Sequence, residues 1–337
     1  MGWVRKAPSV PAPISFEGEY MMQYQEIVEQ SNFGEWREAH KTGIGASQIA
    51  AVLGESRFNS RLRVWAEKVG RLEPADLSDN EAVQMGIELE PFVAAKYEQR
   101  TKRVLSKAGI LLRSEAYPWA ICTPDYWIMD DDGTWNIPCQ IKTTNAFRLN
   151  EWADGPPSDV WWQVQHEMFV TGAPWASVGV LVGGQRFMWA DVQRDGIAME
   201  RIAKEGMIFW DNVKSQTYPD PDSNSADVLA DLFPVSAEGE EVAMPQEATE
   251  WDRALQVAKA NKALLDDDIS YLENKLKLAI GEAEMGVLHD GSGAFTHKTQ
   301  QRVSYKLAEG ESKPTSSGVE VRAVANVSDF RVLRRSK

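Results

Sequence analysis

The sequence predicts an α/β fold: a central mixed sheet flanked by helices, followed by a C-terminal unit of one long helix with short strands. Three observations carry that expectation. Helix-period and strand-like segments alternate through the first 220 residues around a central hairpin pattern. A stretch rich in acid, Pro, Ser and Ala, residues 221–250, then interrupts all periodicity. Beyond it a 3–4 apolar spacing runs from Trp251 to Ala279. The domains expected are thus 1–220, an acidic linker 221–250, and a helical and β extension 251–337.

Taken in order, "ASQIAAVLG" reads as a short helix and "LRVWAEKVG" as a second. "EAVQMGIELEPFVAAKYEQRTKR" reads as a long helix bent or restarted at Pro91. Three strand candidates follow, "GILLRSE", "WAICTPDYWIM" and "WNIPCQIKTT", the last two joined by the turn sequence "DDDGT". "SDVWWQVQHEMFVTG" is a helix with Ser158 or Asp159 as N-cap, and "ASVGVLVGG" a further buried strand. Past the linker, Trp251, Leu255, Ala258, Leu265, Ile269, Leu272, Leu276 and Ala279 lie on one helix face interrupted only by Lys262, which suits packing on its own domain or an oligomeric coiled coil. "VLHDGSGAFTHK" gives two short strands about a turn, "GESKPTSSG" a loop, and "RVLRRSK" a basic tail.

A chain of 337 residues that is 43% hydrophobic can bury a sizeable core, in about two domains. No run approaches the ~18 apolar residues of a membrane span, and Pro8, Pro11 and Pro13 stand where a signal core would be. A cytoplasmic location without membrane contact is the expectation. Cys122 and Cys139 are the only cysteines, too few for a disulfide framework, a four-thiolate zinc site or a four-cysteine iron–sulfur cluster. The net charge of -14 speaks against a generally basic nucleic-acid binder. Eight of the acidic residues, however, lie between Pro221 and Glu250 with no Lys or Arg among them, which leaves room for a basic channel elsewhere.

Chemistry is expected at the hairpin. Side chains alternate across a strand, so Gln140 and Lys142 project from one face while Ile141 goes to the core. A turn through Asp131 to Gly133 brings Asp125 beside them. A carboxylate, a second oxygen and an ammonium then share one small site, and such a site suits Mg²⁺, which takes hard oxygen ligands and keeps several waters. A lysine next to the ion can position the attacking water while the ion stabilises charge on a phosphate.

Five segments occur in order: "GIGASQIAAVLG" (Gly43 to Gly54), "GIELEP" (Gly86 to Pro91), "CTPD" (Cys122 to Asp125), "QIKTT" (Gln140 to Thr144) and "WWQVQHEMFVTG" (Trp161 to Gly172). Over Trp36 to Val213 they resemble the YqaJ-type viral recombinases, relatives of phage lambda exonuclease in the PD-(D/E)xK nuclease superfamily. The resemblance implies the PD-(D/E)xK nuclease core and a phage or prophage recombination exonuclease. Such an enzyme degrades one strand of a linear duplex end 5′ to 3′ with Mg²⁺, with Mn²⁺ as a substitute. It implies also a ring-shaped homotrimer in the bacterial cytoplasm and a single-strand annealing protein as partner. By position the metal ligands are Glu90, Asp125 and Gln140, with Lys142 as the catalytic lysine and Gln163 supporting the cluster. Ser47 and Thr123 match hydroxyls that hold the 5′ phosphate. His40 stands where the family has an arginine for that phosphate, and Lys41 is the candidate to replace it.

Gln140 departs from the family, which has glutamate there. The amide folds equally well but is uncharged and can donate where a metal needs an acceptor. Three explanations stay open: an engineered substitution that disables the enzyme, a natural site that uses the amide oxygen, and a natural DNA-end-binding protein without catalysis. An iron–sulfur nuclease of the AddB kind lacks its cysteines here, and a coiled-coil scaffold built on 251–280 would bind no metal in the first domain. Cys122 and Cys139 read as small buried strand residues. Trp152, before "ADGPP", is the tryptophan best placed to touch DNA, and Arg57, Arg61, Arg63 and Arg148 are candidates for phosphate contact.

Overall fold

The structure, a computed structural model, describes residues 24–129, 135–315 and 318–336. The expected turn at 131–133 and the proline-bearing N-terminus lie outside the described residues. The chain divides into two compact units, Met1–Ala237 and Glu238–Lys337.

The first unit opens with β1 (Tyr24–Glu29), α1 (Phe33–Lys41), β2 (Ile44–Gly45), a 3₁₀ turn at Ala46–Gln48, α2 (Ile49–Val52) and α3 (Arg61–Lys68). The long helix α4 (Glu81–Thr101) comes next. Asn80 caps it by accepting from the Val83 N–H, and it runs through Pro91 without a restart. Five strands follow: β3 (Leu105–Lys107), β4 (Ile110–Ser114), β5 (Ala120–Cys122), β6 (Tyr126–Met129) and β7 (Trp135–Thr144). After a 3₁₀ segment at Ala146–Trp152 come α5 (Ser158–Thr171), β8 (Trp175–Val182), β9 (Arg186–Gln193), α6 (Gly196–Ser215) and α7 (Ala226–Leu232). The cap of α5 is Pro157 rather than Ser158 or Asp159: the Pro157 carbonyl already accepts from Trp161 N–H, so Ser158 is helical.

Two sheets result, in the orders β1-β4-β5-β2 and β3-β6-β7-β8-β9. The single strand read in "WAICTPDYWIM" is therefore two. Pro124 has no N–H for a ladder, and Thr123 to Asp125 carry the chain from β5 in one sheet to β6 in the other. Within the second sheet β7 runs antiparallel to β6 and parallel to β8, with Tyr126 opposite Cys139 and Gln140 opposite Val178. Because β6 begins at Tyr126, β7 outlasts it and presents unpaired backbone from Gln140 onward on that side.

Helices cover both faces. Tyr97 of α4 packs over Gly179, where a Cβ would meet the Tyr97 ring at 3.2 Å and Ile141 at 3.3 Å. Val164 and Met168 of α5 join Val178 and Val180 in the same fully buried cluster. Gly43 is required where β2 meets the first sheet: a Cβ there would lie 2.7 Å from the Trp119 carbonyl oxygen. Part of the acidic stretch 221–250 is folded in the first unit. The Asp222 carboxylate accepts from Arg61 N–H, and Val228 and Leu232 of α7 pack in the core.

The second unit consists of α8 (Ala248–Ile280) and the antiparallel strands β10 (Met285–Val287), β11 (Ala294–Thr315) and β12 (Gly318–Ser336). The helix ends one residue before Gly281, as its periodicity predicts. The hairpin is longer than the short strands expected, and it takes in most of "GESKPTSSG", with Ser312 opposite Val321. That stretch offered no apolar alternation to read, since Ser, Lys and Thr occupy it. From the tail segment, Arg331 donates to the carbonyls of Gly281, Ala283 and His297 and so ties the end of α8 to the hairpin. No residue of α8 is buried, and Leu265, Ile269 and Leu272 stand exposed along it. Among the described residues no helix is long and apolar enough to cross a membrane.

Candidate active site

The end of β7 gathers the expected residues. Asp125 leaves the β5–β6 crossing toward the unpaired edge of β7, where its Oδ2 accepts from the Ile141 N–H at 2.8 Å. A carboxylate thereby replaces the missing neighbour strand. Lys142 Nζ donates to Gln140 Oε1 at 2.8 Å. Gln140 is 1% exposed, and its Nε2 donates at 2.7 Å to the carboxylate of Glu167 on α5. Gln163, one helical turn earlier, donates to the same Glu167 Oε1 at 3.2 Å. Asp125, Gln140, Lys142 and Gln163 therefore form one cluster, with Glu167 at its centre.

Glu167 was not anticipated. Its signal was available, since Gln163 and Glu167 share a helix face at i, i+4 and a carboxylate is a costly residue in so apolar a helix. Burial, then repulsion from Asp125, pushes its carboxyl up to about 8, against the pull of Lys142 and the two glutamines. Burial also raises Asp125, a rise opposed by Lys142 and the Ile141 N–H and reinforced by Glu90.

Glu90 lies at the margin. Its carboxylate is ion-paired with Lys107 of β3 and hydrogen-bonded to Tyr126, neither of which the sequence singled out. The Lys107 ammonium also lies over the Tyr126 ring, 4.9 Å from its centroid. Among the described residues no three His, Cys, Asp or Glu side chains converge closely enough to hold an ion by themselves. The donors are nonetheless hard oxygens, and Glu167 Oε2 is buried without a hydrogen-bond partner, so the chemistry fits an ion that keeps part of its water shell.

Beside the cluster a cavity of about 280 Å³ is lined by Ser47, Lys142, Arg148, Trp152, Asp159 and Gln163, among others. Ser47 is thus placed with Lys142. Thr123 is nearer α1, where it accepts from Trp36 Nε1 at 3.4 Å, and the Trp36 ring lies 4.3 Å from His40. Burial, then Lys68, lowers His40 to about 4, so it is neutral at pH 7 and lacks the charge of the arginine that the resemblance sets at its position. Lys41 is ion-paired with Glu38. Trp152 is a buried cavity wall with its Nε1 unpartnered. The four arginines are all engaged: Arg57 and Arg148 with Glu151, Arg61 with Glu205, Arg63 with Asp231. Cys122 and Cys139 are free, buried thiols whose burial pushes their ionisation well up.

Residues 35–174 match the family model of the YqaJ-like viral recombinase domain. The chain is 27% identical, over 278 residues, to the uncharacterized protein YqaJ of Bacillus subtilis (strain 168); the match covers 81% of this chain and 86% of that protein. Among solved structures it is similar to an alkaline exonuclease (LHK-Exo) from Laribacter hongkongensis, with 24% identity, a TM-score of 0.47, and 55% of this chain and 94% of that one covered. A phage-related exonuclease from Haemophilus somnus 129PT gives 14% identity and a TM-score of 0.38, covering 52% and 96%. The matched segment contains Ser47, Glu90, Asp125, Gln140, Lys142, Gln163 and Glu167, and over residues 35–174 this chain is similar to the YqaJ-like viral recombinase domain.

Proposed function

We propose that the first unit is a PD-(D/E)xK nuclease that degrades one strand of a linear DNA duplex 5′ to 3′ with Mg²⁺ or Mn²⁺. The observation that carries this reading is the convergence of Asp125, Gln140 and Lys142 at the end of β7, with Asp125 on the Ile141 N–H and Lys142 on Gln140. Asp125, Glu90 and the oxygen atoms around Gln140 would hold the ion. When bound, it supplies charge stabilisation for the phosphate under attack and a more acidic water. Lys142 is held at the cavity wall, where its ammonium orients a water and offsets charge on a phosphate oxygen. Ser47, from the same wall, offers a hydroxyl donor to a terminal phosphate, and neutral His40 near Thr123 offers at most a hydrogen bond. Similarity to the recombinase domain over residues 35–174 supports a homotrimer that encloses its DNA and an annealing protein as partner.

The uncharged amide at 140 by itself favours a second reading, a protein that holds DNA ends without cutting them. Release of nucleotides from a 5′-phosphorylated linear duplex in Mg²⁺ separates the two, with Asp125→Asn and Lys142→Met as controls. Release from the 5′ end that both substitutions abolish is the expected result. Duplex ends that are bound but left intact, by the chain and by its Gln140→Glu form alike, would establish the second reading.

A further inference from the structure

Both ends of the Gln140 amide are committed. The Nε2 faces an acceptor, Glu167 Oε1, and the Oε1 faces a donor, Lys142 Nζ, so the amide has one orientation and each end is satisfied. A glutamate at 140 would keep the bond from Lys142 but turn its second oxygen toward Glu167. Two carboxylate oxygens at that separation need a proton between them. Glutamine at 140 supplies the hydrogen for that contact itself, and the two side chains read as a matched pair.

The same pair leaves an oxygen unused. Glu167 is 0% exposed, and Oε1 takes the donors from Gln140 and Gln163 while Oε2 has none. The two amide donors need only Oε1, so they give no reason for a second oxygen buried without a donor. The Asp125 carboxylate is near enough for its charge to be felt at Glu167, so a cation between them would be attracted by both.

We propose that Glu167, on helix α5, supplies the metal-binding carboxylate that strand β7 lacks at Gln140, and that Gln140 is a positioning residue holding Glu167 and Lys142 by the two ends of its amide. The purpose of the ion rests on the nuclease reading; the location of the carboxylate does not. On this assignment the glutamine is the counterpart of a carboxylate moved from strand to helix.

The test uses the full parent chain and three variants, Glu167→Gln, Gln140→Glu, and the swap Gln140→Glu/Glu167→Gln. Two quantities are measured for each: Mn²⁺ binding by calorimetry, and nucleotide release from a 5′-phosphorylated duplex in Mg²⁺. The parent should bind Mn²⁺, and Glu167→Gln should weaken that binding by about tenfold or more. Gln140→Glu alone should bind no more tightly than the parent. The swap restores one carboxylate and one amide in reversed places and should recover most of the loss. If Glu167→Gln proves unfolded by circular dichroism, the swap and Gln140→Glu decide. Absence of Mn²⁺ binding by the parent, unchanged binding in Glu167→Gln, or tighter binding and new nuclease activity in Gln140→Glu alone would each overturn the assignment. If Mn²⁺ binding follows Glu167 through the series while no form releases nucleotides, the nuclease reading fails and the carboxylate assignment stands. Equal release by the parent and by Glu167→Gln would uphold the nuclease reading and overturn the carboxylate assignment.

Discussion

Replacing Glu167 by glutamine removes a buried titratable group at nearly constant shape, and the pH dependence of stability is where the change should be read. In the folded chain the carboxyl is raised from 4.5 to about 8, with burial as the first cause. Between those values the folded state binds a proton that the unfolded state has released. Stability is therefore full below 4.5 and is lost as pH rises toward 8. At about 1.4 kcal/mol per pH unit the loss comes to ~5 kcal/mol. The variant has no such dependence, and its amide nitrogen stands where the parent's Oε2 is equally without a partner, so that cost is common to both. Glu167→Gln should consequently be within about 1 kcal/mol of the parent at pH 5 and more stable at pH 9 by roughly 5 kcal/mol. Urea unfolding followed by tryptophan emission is a suitable assay, since Trp251 is the only tryptophan beyond Ala237 and the signal reports the first unit. A stability difference of the same sign and size at both pH values would refute the reasoning, because it would mean that Glu167 does not titrate between them in the fold.

Three other outcomes can be checked with the same assay. Gly206→Ala should destabilise by roughly 1–3 kcal/mol, because its Cβ would lie 2.2 Å from the Trp119 ring, and the ~1 kcal/mol gained in helix propensity does not offset that. Asp191→Ala should cost about 2 kcal/mol, since its carboxylate takes both arms of Arg103 at 2.7 and 2.8 Å and the Ser177 hydroxyl at 2.8 Å, and Arg103 in turn bonds Tyr97. His166 is lowered to about 4 by burial, so its neutral form is favoured in the fold. Its contribution is present above 6.5 and lost as pH falls to 4, about 3 kcal/mol in all. His166→Gln, whose amide can still donate to the Ile121 carbonyl that His166 Nε2 faces at 3.2 Å, should flatten that acid limb; an unchanged limb would place the titration elsewhere.

The parts of this fold that could be read from sequence are those where one local signal dominates. The period of α8, its stop at Gly281, the alternation that sets Gln140 and Lys142 on one face, and the β6–β7 pairing that delivers Asp125 each follow from a few neighbouring residues. What escaped depends on distant partners. Tyr126 and Lys107 gain their place only because β3 pairs with β6 and sets Lys107 opposite Tyr126 beside Glu90. The division of "WAICTPDYWIM" between two sheets follows from one proline and from where each half finds a partner, and only the proline is visible in the string.

Glu167 shows most directly why a site is harder to read than a fold. Judged along the chain, Gln140 is a missing charge and Glu167 an extra one, and each invites a separate explanation. The parallel pairing of β7 with β8 and the packing of α5 over both bring position 140 to position 167 across 27 residues. In three dimensions the missing and extra charges meet at 2.7 Å as donor and acceptor. A loss of function would remove the carboxylate at 140 and supply no other. It would give no reason for α5 to bury one, at a cost of several kcal/mol, against the amide that took its place. The geometry is that of a charge relocated within one cluster, and conservation of the pair, rather than of either residue, is what the chemistry of the site would require.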